Sequence, residues 1–330
     1  MKAIRISRTG GSDVLEHVEV PTPKPGPGEV LVRAHAIGVN YFDLLIRTGR
    51  YHWMPPLPFI PGNEMSGHVV ARGADARRLA QGQPVFIAGY DIGNRGGLYA
   101  EFVAVPEASA WPLPEGADLD AAVALTNYQL AWILLHQTAR GIEPRTVVVH
   151  GAAGGVGTAL TDVARLSGAS VIGVAGSAEK RAFVRARGAA HAIDYRNESV
   201  VERVLALTEQ RGADIVFDHV AGKQFTDGLK MLAPLGMIVS YGLLGGMPEA
   251  DLFQAMRANL DRSPAVRCFT MHSYDHLPQP RRAAMREAIA LIAGRKVEPA
   301  IGAVLPLAEA RRAHDLIESR QAMGKIVLKP

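Results

Sequence analysis

Apolar positions divide the chain into a β-rich first part and a later part in which strands and helices alternate. Up to about residue 106, short apolar segments separated by turn sequences predict strands at Met1–Ile6, Leu15–Val20, Val30–Ala36, Met65–Arg72, Val85–Ala88 and Gly97–Val105. Short strands at regular intervals are typical of a small barrel-like domain. One helix is predicted over Tyr41–Thr48, because Phe42, Leu45 and Ile46 recur at helical spacing.

The later part begins after a proline-rich crossing at Pro106–Gly116 and a predicted helix from Asp118 to about Thr138, with Asp118 as its N-cap. From Thr146 the pattern predicts strands at 146–150, 171–175, 191–193, 213–218, 236–241 and 265–271. Helices are predicted between them, at 155–167, 178–187, 198–210, 222–233 and 250–260. Such alternation predicts a parallel, doubly wound sheet.

The tail has a different pattern, with helices predicted at Arg281–Ala293 and Ala308–Ser319 and strands at Ile301–Leu305 and Lys325–Leu328. A final strand that follows a helix can return to the first domain.

The first predicted strand of the alternating part runs into a glycine-rich turn, in the sequence TVVVHGAAGGVG. Glycine lets a backbone approach a phosphate, and the free N–H groups of a following helix point at it. The candidate pyrophosphate cradle consists of Gly151, Gly154, Gly155 and Gly157. Because the strict G-x-G-x-x-G spacing is missing, a tight turn without a ligand is the alternative interpretation.

The end of the next strand bears on the choice between NAD and NADP. NAD-binding proteins carry an acid there, on the ribose 2′-hydroxyl. This chain has Gly176 and Ser177, with Lys180 one turn into the helix, which suits a 2′-phosphate. Two alternatives stay open, namely a solvated Lys180 and a Glu179 that reaches a ribose hydroxyl. A methyltransferase-like nucleotide fold is disfavoured, because it also requires an acid at this point.

Composition narrows the class of protein further. Hydrophobic residues make up 48% and charged residues 21% of the 330 residues, as in ordinary globular proteins. No apolar run reaches the roughly 18 residues of a membrane span, and no leader precedes the first strand, so we expect a cytoplasmic protein. The net charge of +4 is scattered, which disfavours nucleic-acid binding. With Cys268 as its single cysteine, the chain has no internal disulfide and no multi-cysteine zinc site.

The sequence resembles the medium-chain dehydrogenase/reductase superfamily, in particular its zinc-free NADPH:quinone oxidoreductase (zeta-crystallin-like) branch. Motifs along essentially the whole chain carry the resemblance: PKPGPGEVLVR, GVNYFDLLIRTGRY, PGNEMSGHVV, GGLYAEFVAVP, VVVHGAAGGVGTAL, SAEKRAFVRARGAAHAIDYRNE, GADIVFDHVAG and ESRQAMGKIVL. The resemblance implies an α/β fold in which a GroES-like, partly open β-barrel domain spans residues 1–122 and 273–330. It also implies a Rossmann domain at residues 123–272, with a doubly wound parallel six-stranded sheet, and an active site in the interdomain cleft.

The resemblance further implies NADPH as the hydride donor and assigns residues to it. The pyrophosphate would lie on Gly154, Gly155 and Val156, and the 2′-phosphate on Lys180, Tyr195 and Arg320, near Ser177. The nicotinamide side would be bordered by Asn40, Thr126, Leu243–Gly246 and Phe269–Met271. Tyr195 and Arg320 could instead be ordinary surface residues.

The positions of the catalytic zinc ligands bear on the type of reaction. The alcohol dehydrogenases of the superfamily have a cysteine where this chain has Asn40 and a histidine where it has Asn63, so no bound metal is expected. The chain's His35, His52 and His68 do not reproduce a tetrahedral site. Without a metal to polarise an alkoxide, reduction of a quinone or an α,β-unsaturated carbonyl compound is favoured.

Substrate is expected beside Asn40, Tyr41, Tyr51 and the loop His52–Pro58, with Tyr51 and Asn40 as the candidate catalytic residues. Tyr51 matches the tyrosine of the family's enoyl reductases and is the candidate proton donor, with a packing role as the alternative. Leu45 replaces a tyrosine of some quinone oxidoreductases, which makes the substrate region more apolar. An NADPH-binding protein with a structural or sensing role and an enoyl-thioester reductase remain alternative functions. A homodimer is expected through the edge strand at 265–271.

Overall fold

The computed structural model describes residues 1–330 and divides the chain into two compact units. Unit 1 contains Met1–Thr126 and Ile289–Pro330, and unit 2 contains Asn127–Ala288. The predicted boundaries at 122/123 and 272/273 lie four and sixteen residues earlier than these. The second boundary is later because Gln129 and Gln137 of unit 2 donate hydrogen bonds to the backbone carbonyls of Arg281 and Pro280.

The strands are β1 Lys2–Arg5, β2 Glu16–Glu19, β3 Glu29–Val39, β4 Glu64–Arg72, β5 Pro84–Ala88, β6 Phe102–Pro106, β7 Ala110–Pro112, β8 Thr146–His150, β9 Ser170–Ala175, β10 His191–Asp194, β11 Ala213–Asp218, β12 Leu232–Ser240, β13 Ala265–Cys268, β14 Ile301–Pro306 and β15 Lys325–Lys329. The helices are α1 Tyr41–Arg47, α2 Leu119–Ala122, α3 Leu125–Trp132, α4 Gly155–Leu166, α5 Ala178–Ala186, α6 Val200–Leu207, α7 Leu252–Ala258, α8 Pro278–Ala293 and α9 Ala310–Glu318. None of these helices combines the length and the apolar character that a bilayer span requires.

Unit 1 is built on a seven-stranded, mostly antiparallel sheet in the order β14-β15-β3-β4-β5-β7, with β6 also paired to β3. Its core consists of fully buried side chains such as Ile37, Met65, Val85 and Ile326. The last strand, β15, pairs antiparallel with β3, with Ile326 opposite Val39. The return of the final strand to the first domain is therefore confirmed.

Unit 2 contains the predicted doubly wound sheet, with six parallel strands in the order β10-β9-β8-β11-β12-β13. Strand β8 is central, and its valines Val147, Val148 and Val149 are fully buried. A strand covered on both faces needs a continuous apolar run, which is what the sequence has there. The chain order reverses between β8 and β11, and this reversal creates a crevice at the carboxyl ends of these strands.

Several predicted elements differ from the structure. The helix predicted at 222–233 is only a 3₁₀ segment at Thr226–Met231, and β12 begins earlier than predicted, at Leu232. Gly222 and Gly228 weaken a helix, and Leu232 pairs with Ala213 of β11 instead.

Three other segments are shorter or interrupted. The predicted helix Asp118–Thr138 is divided into α2, α3 and a π-helical segment, although Asp118 does cap α2 by accepting hydrogen bonds from two backbone N–H groups. The strand predicted at Gly97–Val105 is regular only over β6, and the strand predicted to reach Met271 ends at Cys268.

Candidate functional site

The carboxyl ends of the unit 2 strands bring most of the predicted cofactor residues to one edge of the sheet. All six strands run in the same direction, so the segments that follow them lie along a common edge. These segments contain the glycine turn Gly151–Gly155 after β8, Gly176 and Ser177 after β9, Tyr195 after β10, Leu243 after β12 and Phe269 after β13. The resemblance assigns these residues to the cofactor, and the structure places them along this edge; their roles stay predictions.

The glycine turn after β8 is shaped by close packing. Gly151 has a backbone φ of +60°, a conformation that side chains disfavour. A Cβ atom on Gly157 would lie 2.4 Å from the carbonyl oxygen of Gly151, so the start of α4 can approach the turn only because Gly157 has none. Gly154 is the N-cap of α4, and the first helical turn, which includes Gly155 and Val156, carries no acidic side chain. An anion is therefore favoured at this helix start.

The segment after β9 brings the Tyr195 phenol close to the start of the helix that carries Ser177 and Lys180. Ser177 is the N-cap of α5, and its Oγ accepts a hydrogen bond of 3.2 Å from the backbone N–H of Lys180. A Cβ atom on Gly176 would lie 2.7 to 2.8 Å from the Tyr195 ring and hydroxyl, so the tyrosine lies directly against this turn. Tyr195 is 45% exposed and its ring is therefore accessible to a ligand. Glu179 is exposed on α5, and its predicted alternative role stays open.

Tyr195 is held in place by its neighbour Asp194, which the sequence analysis did not identify. The Asp194 carboxylate accepts hydrogen bonds from Arg181 of α5 at 2.5 Å and from the side-chain amide of Asn197 at 3.0 Å. Asn197, the Arg196 backbone N–H and Arg181 together lower the pKa of Asp194, against a desolvation that raises it. The loop that carries Tyr195 is therefore tied to the helix that carries Lys180.

Leu243 and Phe269 follow the two outer strands of the same edge. Leu243 is 49% exposed, and the backbone N–H of the next residue, Leu244, donates to the carbonyl of His219 at 3.1 Å. The Phe269 N–H donates to the carbonyl of Ser240 at 2.8 Å, which continues the pairing of β13 with β12. The resemblance assigns both residues to the nicotinamide side, and their roles stay predictions.

In unit 1, Asn40 is part of a buried polar cluster around Glu64. The Asn40 Nδ2 donates to Glu64 Oε1 at 2.8 Å, and the Asn40 Oδ1 accepts from Lys325 Nζ at 2.7 Å. Lys325 is also in direct ion-pair contact with Glu64, and the Thr126 hydroxyl donates to the other oxygen of the same carboxylate. The orientation of the Asn40 amide is therefore fixed from both ends.

The two charged members of this cluster were missed by the sequence analysis. Glu64 is 0% and Lys325 2% exposed. Burial lowers the pKa of Lys325, whereas the charge of Asp43 opposes this shift. Contact with the Glu64 carboxylate likewise favours the charged ammonium. Glu64 lies in the motif PGNEMSG and Lys325 in the motif GKIVL. Because these motifs are far apart in the sequence, their contact could not be predicted.

A second buried chain of polar groups begins at Asp43, three residues after Asn40. The Asp43 carboxylate accepts hydrogen bonds from the Asn40 N–H at 2.9 Å and from the Tyr99 hydroxyl at 3.2 Å. Tyr99 in turn lies 3.2 Å from His314 Nε2. Desolvation by burial raises the pKa of Asp43 to about 6 and lowers that of His314 to about 3. These groups anchor the start of α1, where Asn40 lies.

Tyr51 and Arg320 are also in unit 1. The Tyr51 ring contacts Phe42 edge to face, with ring centroids 4.6 Å apart, and lies 5.7 Å from the Trp53 ring. It is thus part of an aromatic group with Phe42 of α1 and Trp53. Arg320 follows α9 with a φ of +58°, and its backbone N–H donates to the carbonyl of Ile317. The roles of Tyr51 as proton donor and of Arg320 as phosphate ligand stay predictions.

The positions that hold zinc in alcohol dehydrogenases contain unsuitable groups. The buried Asn63 Oδ1 faces Gly89, where a Cβ atom would lie only 2.3 Å from it. The Asn40 Oδ1 already accepts from an ammonium, which would repel a metal cation at this point. No group of three or more His, Cys, Asp or Glu side chains is placed to hold a metal ion. These contacts disfavour a catalytic zinc, and metal-free catalysis stays a prediction.

Comparison with known proteins agrees with this architecture. Residues 26–115 match the family described as alcohol dehydrogenase GroES-like domain, and residues 155–293 match the family described as zinc-binding dehydrogenase. A quinone oxidoreductase of Pseudomonas aeruginosa is 34% identical over 100% of this chain and 99% of its own.

Two solved structures are also similar to the chain over its full length. A mycobacterial protein complexed with NADPH has a TM-score of 0.89 at 32% identity, with 100% of both chains covered. The Escherichia coli quinone oxidoreductase complexed with NADPH has a TM-score of 0.88 at 29% identity, also with 100% of both chains covered.

A GroES-like domain joined to a Rossmann-type sheet with a glycine turn defines the class, and the chain belongs to the medium-chain dehydrogenase/reductase superfamily. Within it, the chain falls among the quinone oxidoreductases. It is an oxidoreductase whose cofactor is NADPH. The acid-free helix start at Gly154 and the grouping of Ser177, Lys180 and Tyr195 fit this dinucleotide.

Proposed function

We propose that the protein transfers a hydride from NADPH to a quinone or an α,β-unsaturated carbonyl compound without using a metal ion. The observation that carries this proposal is the pair of hydrogen bonds made by the Asn40 amide. This amide donates to Glu64 and accepts from the buried ammonium of Lys325. An ammonium at this point supplies the positive charge that the buried carboxylate needs, and its charge would repel a metal cation, which supports the proposal. Alcohol oxidation without a Lewis acid is unfavourable, so reduction of an already activated acceptor is preferred.

The chain's own residues would hold the cofactor by its phosphates. The N–H groups at the start of α4, at Gly154, Gly155 and Val156, would bind the pyrophosphate, and Ser177, Lys180 and Tyr195 would bind the 2′-phosphate. When bound, NADPH supplies the hydride. Asn40 and Thr126, which share the Glu64 carboxylate, are the proposed contacts of the nicotinamide portion, and Arg320 is a proposed further phosphate ligand.

Reduction of such an acceptor also consumes a proton. We assign the delivery of this proton to the Tyr51 hydroxyl. A neutral phenol can donate a proton to an enolate or phenolate oxygen as negative charge develops there. The contacts of Tyr51 with Phe42 and Trp53 keep its ring in a defined orientation. The apolar Leu45 and the aromatic side chains near Tyr51 favour a flat, apolar substrate.

The test measures NADPH oxidation with 1,2-quinones, 1,4-quinones and enones as acceptor substrates. We expect turnover with at least one of these acceptors, and we expect it to be unchanged after dialysis against a chelator. An enoyl thioester and a simple aldehyde serve as comparison substrates. Tight NADPH binding without turnover of any quinone or enone would refute the proposed reaction and would favour a binding or sensing role.

The outer edge of unit 2 supports a proposed homodimer. Strand β13 is the last strand of the parallel sheet, and its residues Ala265–Cys268 are half-buried to exposed. An uncovered edge strand presents unpaired backbone groups, which a second copy can pair across a twofold axis. Sedimentation at micromolar concentration tests this, and a monomer would contradict it. The cytoplasmic location expected from the sequence stays a prediction.

A further inference from the structure

His219 directly follows β11, on the side of the crevice opposite the glycine turn. The parallel register pairs Ile215 with Val147 and Phe217 with Val149, so a continued register places His219 beside Gly151. The side chain agrees with the backbone: a Cβ atom on Gly151 would lie 2.2 Å from His219 Cε1 and 2.9 Å from Nε2. The imidazole therefore lies against the first residue of the turn.

This position is the point at which the strand order of the sheet reverses. Strand β8 leads into β9 on one side, whereas β11 leads into β12 and β13 on the other. Ligands of open α/β sheets bind in the crevice at such a reversal, outside the carboxyl ends of the strands. His219 is half-buried there, which leaves part of its ring accessible to a ligand.

The backbone of this segment is held by several bonds that do not involve the imidazole. The Asp218 carboxylate accepts from the N–H groups of Val220 at 2.7 Å and Ala221 at 3.1 Å. The His219 carbonyl accepts from Leu244 at 3.1 Å, and the ring lies at 5.6 Å from that of Tyr241. These bonds hold the segment that carries the ring beside the glycine turn.

We propose that the His219 imidazole donates a hydrogen bond to the pyrophosphate of the bound dinucleotide, opposite the N–H groups of the glycine turn. A ring N–H beside an acid-free helix start is a suitable donor to an anion, and such a charged hydrogen bond is strong. The inference rests on NADPH binding at the glycine turn and not on the identity of the acceptor substrate, so it can succeed or fail independently of the proposed reaction.

Binding of two ligands to the purified full chain tests the proposal without any turnover. NADPH contains the pyrophosphate, whereas adenosine 2′-monophosphate contains the 2′-phosphate but no pyrophosphate. We expect His219→Phe to raise the dissociation constant of NADPH about tenfold, as for one lost hydrogen bond to a charged group. The dissociation constant of adenosine 2′-monophosphate should stay unchanged. NADPH fluorescence and calorimetry provide the two readouts.

Phenylalanine keeps the ring that packs on Gly151 and Tyr241, so it removes the donor with little change in shape. His219→Gln restores an N–H donor without the ring and should bind NADPH more tightly than His219→Phe. If one of the two variants does not fold, His219→Asn replaces it in the comparison.

His191→Phe is the matched control. His191 is an exposed histidine at the first residue of β10, which is an outer strand of the same sheet. Its replacement should change neither dissociation constant. The proposal is wrong if His219→Phe binds NADPH as the wild type does. It is also wrong if the variant weakens both ligands by the same factor, because the loss would then reflect the shape of the unit and not the pyrophosphate.

Discussion

The carboxylate of Glu64 and the ammonium of Lys325 are in direct contact, although 260 residues separate them in the sequence and both are almost completely buried. Glu64 begins β4 and Lys325 begins β15, and both strands pair with β3. The pair therefore joins the two chain segments of unit 1 through an ionic contact beside Asn40.

Removal of one partner should destabilise the protein strongly. Lys325→Met leaves the Glu64 carboxylate buried without its counter-ion, and we expect a loss of about 3–5 kcal/mol in the free energy of unfolding. The double variant Glu64→Gln, Lys325→Met removes both charges and should be more stable than Lys325→Met alone. Urea unfolding of the two single variants and the double variant gives the coupling energy. Additive effects of the two substitutions would contradict the buried pair.

Acid should destabilise unit 1 through His314. Burial lowers its pKa from the ordinary value of 6.5 to about 3. Between these values the unfolded chain binds a proton that the folded protein does not. The stability provided by neutral His314 is therefore complete above pH 6.5 and decreases as the pH falls towards 3. The expected slope is about 1.4 kcal/mol per pH unit.

Asp43 has the opposite effect on stability as the pH falls. Its pKa in the folded protein is raised to about 6, so the folded protein binds this proton at a higher pH than the unfolded chain does. The difference between wild type and His314→Gln isolates the histidine, since both proteins contain Asp43. Free energies of unfolding at pH 7.5 and 5.5 should decrease more in the wild type than in the variant. His17→Gln, at an exposed position on β2, is the control and should behave as the wild type.

Cofactor choice should depend on Lys180. Lys180→Ala removes a cation beside the N-cap Ser177, and we expect NADPH binding to weaken by about 1.5–3 kcal/mol, the size of a lost charged hydrogen bond. NADH binding should barely change, because NADH has no 2′-phosphate. Lys230→Ala, which removes an exposed lysine of unit 2 that pairs with Asp227, is the matched control. Equal weakening of both dinucleotides would show that Lys180 does not bind the 2′-phosphate.

A proton donor at Tyr51 predicts a specific kinetic defect. Tyr51→Phe keeps the ring that contacts Phe42 but removes the hydroxyl, and kcat should fall by about 10²- to 10⁴-fold if proton delivery limits turnover. The dissociation constant of NADPH should stay the same. Tyr90→Phe changes another tyrosine of the same aromatic group, whose ring lies 6.3 Å from Phe42, and should leave kcat unchanged. Unchanged turnover of Tyr51→Phe would assign the residue to packing.

The repeating parts of unit 2 could be predicted from the sequence because each signal there is local. An apolar strand such as Val147–Val149, a glycine turn and an amphipathic helix follow one another within about 20 residues. Parallel strands then place Gly154 and Ser177 at one edge, whereas Tyr195 was named only through the resemblance to the family. The family motifs added NADPH, which local patterns alone left open.

Contacts between distant segments could not be predicted in the same way. Nothing near Asn40 in the sequence indicates that Lys325 donates a hydrogen bond to its amide. The ion pair of Lys325 with Glu64 likewise depends on the register of β15 against β3. His219 was missed for the same reason, since its contact with Gly151 arises only when β11 lies beside β8. The helix predicted at 222–233 failed because pairing of Leu232 with β11 outweighed its helical spacing.

The pairing of β15 with β3 also has a consequence for biosynthesis. Unit 2 is one continuous segment of the chain, so it can fold as soon as residue 288 has left the ribosome. Unit 1 lacks β14 and β15, and with them the counter-ion of Glu64, until Ile301–Pro306 and Lys325–Lys329 have been made. Residues 1–126 therefore keep a stretch of β3, at Ile37–Val39, unpaired on its β15 side while the whole of the inserted unit is made. Chaperone demand should accordingly be concentrated on this early segment of the nascent chain.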